Sequence, residues 1–62
     1  MLNRVEYWVT ESITVYSHSE YQKKKSALMK RGFSVVGSKN NEKYFFEYYK
    51  NSLGQTVEIV LK

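Results

Sequence analysis

Apolar and polar positions alternate over residues 4 to 9, RVEYWV, with Val5, Tyr7 and Val9 in one phase and Arg4, Glu6 and Trp8 in the other. The alternation returns over 13 to 16, ITVY, where Ile13 and Val15 oppose Thr14 and Tyr16. Strands turn successive side chains to opposite faces, so both stretches read as half-buried strands. The TES between them serves as a hairpin turn. Because the phase survives the gap, one long bent strand is the alternative.

The period changes over residues 17 to 33, SHSEYQKKKSALMKRGF. Ser17 followed by Glu20 makes a capping box, and Ser19 with Gln22 offers a second register. Lys30 and Arg31 fall in the last turn, where cations favour the helix dipole. Gly32 suits the left-handed position after the cap, and Phe33 is placed to fold back on Leu28. The apolar stripe is thin: Tyr21 and Leu28, extended by Ala27. Such a helix is stable only when packed on something else, here a sheet.

Three more strand patterns follow. FSVVGS, 33 to 38, has Phe33 and Val35 in phase, with Gly37 as a bulge signal. KNNEK turns the chain into YFFEYY, 44 to 49. NSLG then turns it into QTVEIVLK, with Val57, Ile59 and Leu61 in phase. The expected fold is one α+β domain over residues 1–62, in the order β-β-α-β-β-β. One amphipathic helix packs on a mainly antiparallel, five-stranded sheet in two layers.

YFFEYY is aromatic in both phases, so its orientation has to be chosen. An ionised carboxylate is costly to bury unpaired. That argument turns Glu47 outward with Phe45 and Tyr49, and turns Tyr44, Phe46 and Tyr48 toward the helix. Val57, Ile59 and Leu61 point inward on the same reasoning. The outward face then gathers Trp8, Tyr16, Val36, Phe45 and Tyr49, with Val60. Contiguous apolar surface of this kind marks an interaction site. A homodimer, a protein partner or the bases of unpaired nucleic acid would cover it.

Composition narrows the partners. The formal net charge is +4 over 62 residues. That balance favours an anionic partner, nucleic acid first. Lys outnumbers Arg eight to two, which suits phosphate contact more than bidentate base reading. KKKSALMKR, 23 to 31, holds five cations and no acid. Lys23, Lys24, Lys30 and Arg31 are its solvent-side candidates for phosphate contact, with Lys39, Lys43 and Lys50 at strand ends. Richness in Lys, Asn, Tyr and Phe matches an AT-rich genome, as in a low-GC bacterium or a phage or plasmid within one.

A domain this small buries only about 60% of its unfolded surface, so oligomerisation or a partner is expected to supplement its core. The chain has no Cys, so disulfides and thiolate metal sites are excluded. One His makes no zinc site by itself. Asn3, Arg4 and Glu6 interrupt any leader-like apolar run, and nothing approaches the ~18 apolar residues of a membrane span. A cytoplasmic protein is expected, without cofactor or metal.

Catalysis is not expected. His18 is the one strong acid–base candidate, and the chain has no Asp to build a Ser-His-Asp set. The three glycines are isolated, so no phosphate-cradling loop exists. The run helix–GF–VVGS–KYFFEYY resembles small α+β domains that place a Gly-aromatic pair after a helix. Some of those bind double-stranded RNA and some are toxins of bacterial toxin–antitoxin pairs. Those toxins carry a His shortly after their GS, where this chain has Lys39 and Asn40. The expected function is that of a small nucleic-acid-binding accessory protein in regulation or DNA processing. The alternative is a protein-binding inhibitor or adaptor that uses the aromatic sheet face.

Overall fold

Four strands and one helix make up the computed structural model, which describes residues 9–62. In chain order they are β1 (Glu11–Val15), α1 (His18–Lys30), β2 (Ser34–Asn40), β3 (Phe45–Lys50) and β4 (Thr56–Leu61). The sheet order is β1-β4-β3-β2. β2–β3 and β3–β4 are antiparallel, whereas β1 pairs with β4 in parallel. The fold is α+β, one helix on a mixed, mainly antiparallel sheet. Of the expected first strand, 4 to 9, all but Val9 lies outside the described residues, and Trp8 with it.

The β1 segment is the one that alternation marked at ITVY, but no adjacent hairpin partner pairs with it among the described residues. It joins the far end of the chain instead, with Glu11 opposite Val57 and Val15 opposite Leu61. Thr10 fastens the start of this pairing: its N–H donates to the Thr56 carbonyl at 2.7 Å, and its hydroxyl accepts from the Thr56 N–H at 3.2 Å. β1 and β2 run the same way at opposite edges, so α1 is a crossover, the connection that parallel strands require.

Both helix ends follow their sequence signals. Ser17 accepts from the Glu20 N–H at 3.1 Å, and the Glu20 carboxylate accepts from the Tyr16 N–H at 3.0 Å. At the other end Gly32 has φ +91°. The Phe33 N–H donates to the Leu28 carbonyl at 3.0 Å, and Gly32 to Met29 at 3.1 Å. This is the Schellman pairing, and Phe33 and Leu28 share the core. α1 lies over β1 and β4. Tyr21 and Leu28 meet Val15, Tyr49, Val57 and Ile59 there.

The orientation of β3 is opposite to the one that Glu47 had implied. Tyr49 pairs with Val57, Glu47 with Ile59 and Phe45 with Leu61. Residues paired across an antiparallel ladder share a face, so Phe45, Glu47 and Tyr49 are on the helix side. Tyr49 is fully buried and Phe45 packs on the core. Tyr44, Phe46 and Tyr48 belong to the other face.

Turn length is the physical reason. A four-residue NSLG turn would set Tyr48 opposite Val57. Gln55 joins the turn instead, held by Asn51 through three bonds. Its N–H donates to Asn51 Oδ1 at 2.9 Å, its carbonyl accepts from the Asn51 N–H at 3.2 Å, and its Oε1 accepts from Asn51 Nδ2 at 2.8 Å. One extra turn residue moves the register by one, and a one-residue slip exchanges the two faces of a strand.

Candidate nucleic-acid interface

The helix side of β3 is polar at its centre. Tyr21 on α1 donates its hydroxyl to Glu47 Oε1 at 2.6 Å, and Tyr49 donates to the same oxygen. Burial, and next the bond to Glu47, hold both phenols above the ordinary tyrosine range. The carboxylate is thus tucked between helix and sheet with donors supplied. Lys25 lies 5.6 Å from the Tyr21 ring centroid and adds a cation at this seam.

The cations are sorted by the helix period and the strand register. Lys23 and Lys30 are separated by seven residues, as are the buried Tyr21 and Leu28. Each pair therefore occupies nearly one angular position, and the two pairs differ by about 200° around α1. Lys23 and Lys30 thus face directly away from the sheet. Lys24 and Arg31 are exposed on a flank, with the Arg31 guanidinium 5.2 Å from the Phe33 ring centroid. Lys39 is opposite Phe46 and Lys50 opposite Thr56, which puts both on the face away from α1. Lys43 is exposed in the β2–β3 turn.

The expected cationic residues are therefore all on the surface, but they do not form one patch. Lys30, Arg31 and Lys50 mark the end of the molecule where α1 stops and β3 finishes. Lys39 and Lys43 mark the opposite end. Between Glu20 and Glu42 the sequence holds no acid and six cations. Five of them, Lys23, Lys24, Lys25, Lys30 and Arg31, belong to α1 and its C-cap, which make the one locally basic surface among the described residues, while Lys39 lies across the sheet on β2. Three of the acids are engaged: Glu20 caps α1, the half-buried Glu47 accepts from Tyr21, and Glu58 Oε1 accepts the Ser12 hydroxyl at 2.7 Å, while Glu11 and Glu42 are exposed.

The expected aromatic interface does not assemble. Tyr49 is at 0% exposure and Phe45 packs against the core beneath α1, so neither is offered to a dimer or partner. Tyr16, at 70%, is exposed between β1 and α1, and Val36, at 45%, is the extra residue of a bulge in β2. The bulge is the one that Gly37 signalled. Sequence reasoning missed the Glu47 network and the pairing of Lys62 with Tyr44, whose Nζ lies 5.2 Å from the ring centroid. Tyr21 in the core stripe and Tyr49 two places from Glu47 were the available signals for the network.

His18 sits in the first turn of α1. Its Nε2 is 3.2 Å from Gln22 Nε2, and its ring is 5.5 Å from that of Tyr21. Among the described residues no cluster of three or more His, Cys, Asp or Glu is grouped as metal ligands would be, and no helix is long and apolar enough to cross a membrane. In comparisons with known proteins, no family model matches the chain, and neither a curated protein nor a solved structure matches it.

Proposed function

We propose that this chain is a small, non-enzymatic nucleic-acid-binding protein that contacts phosphates through the basic, solvent-facing side of α1. The observation that carries this reading is the acid-free stretch between Glu20 and Glu42, which puts Lys23 and Lys30 on the side of α1 away from the sheet with Lys24 and Arg31 exposed beside them. Lysines on a flexible stem suit backbone contact with little sequence preference. A role as an accessory factor in regulation or DNA processing follows from such binding.

Charge reversal tests this directly. The double variant Lys23→Glu/Lys30→Glu loses at least tenfold in affinity for labelled oligonucleotide by fluorescence anisotropy, at unchanged helix content by circular dichroism. The protein-partner alternative now rests on Val35 and Val36, 47% and 45% exposed on β2. Binding that survives the charge reversals but fails in Val35→Ser would favour it.

A further inference from the structure

We infer that the nucleic acid is held unpaired on the face of the sheet away from α1, at the corner built by Tyr44 and Phe46. This inference rests on the nucleic-acid reading above and adds a second contact surface to it. The reversed register of β3 creates the site. It places Phe46 beside Lys39 across the β2–β3 ladder, and takes Glu47 off this face. Tyr44 and Phe46 are half-buried, their rings edge to face with centroids 6.4 Å apart at 89°. Lys62 stands beside Tyr44, and Lys43 precedes it in the turn.

Charge complementarity selects the occupant. Lys39 pairs with Phe46, Lys62 lies over the Tyr44 ring and Lys43 adjoins Tyr44 in the chain, an arrangement that combines phosphate contact with base stacking. Duplex bases are already stacked on each other and offer no free face to a ring on a sheet; unpaired bases do. Among the described residues the acids near the corner are Glu42 in the turn and Glu58 farther along the face, and the latter is bonded to Ser12. Tyr48, at 7% exposure, belongs to the same face but is too covered to be a platform. With lysines and no arginine among the cations beside the rings, binding tolerates any sequence and favours flexible pyrimidine runs.

The test compares a fluorescein-labelled oligothymidine with its duplex against oligoadenosine, in wild type and in Tyr44→Ala. Tyr44 lies outside the core, and its backbone bond to Asn41 Oδ1 does not depend on its ring. The expected result is tighter binding of the single strand, weakened about tenfold by Tyr44→Ala with duplex binding unchanged. Phe46→Leu, which keeps an apolar side chain and removes the ring, gives the same selective loss. Duplex binding as tight as single-strand binding, or a single-strand affinity indifferent to both variants, overturns this site and leaves the helix reading standing. Failure to bind either probe overturns both.

Discussion

Glu47 is the residue on which the fold turns. Its carboxylate receives two phenolic hydroxyls, one from the helix and one from its own strand, and so ties α1 to β3. Glu47→Ala leaves both phenols without that acceptor and is expected to lower unfolding stability by about 1–3 kcal/mol in urea titrations. A solvated Glu at this position would change stability by no more than about 0.5 kcal/mol. The phenols also predict a pH response. Their folded pKa values are raised by burial and by Glu47. The unfolded chain releases these protons near pH 10, before the folded chain does. The contribution is therefore complete below about pH 10 and declines as pH rises beyond it. Urea midpoints measured from neutral pH to pH 11 should fall at the alkaline end, and fall less in Tyr49→Phe.

At the scale of elements, legibility divides by how local the cause is. The helix was readable at both ends because Ser17, Glu20, Gly32 and Phe33 act on backbone within one turn of themselves. Gly32→Ala is accordingly expected to destabilise by about 1 kcal/mol. No atom lies within 4 Å of the added Cβ, so that penalty is conformational, the φ of +91°. Thermal unfolding with unchanged binding would check it. The inward set Val57, Ile59 and Leu61 was equally readable from alternation. The face of β3 was not, because it depends on whether Gln55 belongs to the turn or to the strand, and Asn51 decides that through bonds that alternation does not encode. The parallel place of β1 was hidden for a similar reason: its partner is the last strand of the chain. Thus Glu47, expected to face outward, lies on the helix side and accepts from Tyr21 and Tyr49. Phe45 and Tyr49, read as interface, are core.

Over the whole molecule, the charge pattern outweighs any single residue. The chain carries a formal net charge of +4, and five of its cations lie on α1 and its C-cap in a stretch without an acid. Such a distribution attracts a polyanion by releasing its counterions, and that mechanism has a signature: log affinity falls linearly with log salt, by about 0.9 per duplex phosphate contact and about 0.7 per single-strand contact. The decisive measurement is therefore a salt titration of oligonucleotide affinity, in wild type and in Lys23→Glu/Lys30→Glu. The account predicts a slope steeper than about −2, made shallower by about 1 or more in the double variant. A slope near zero, or one that the charge reversals leave unchanged, would contradict it.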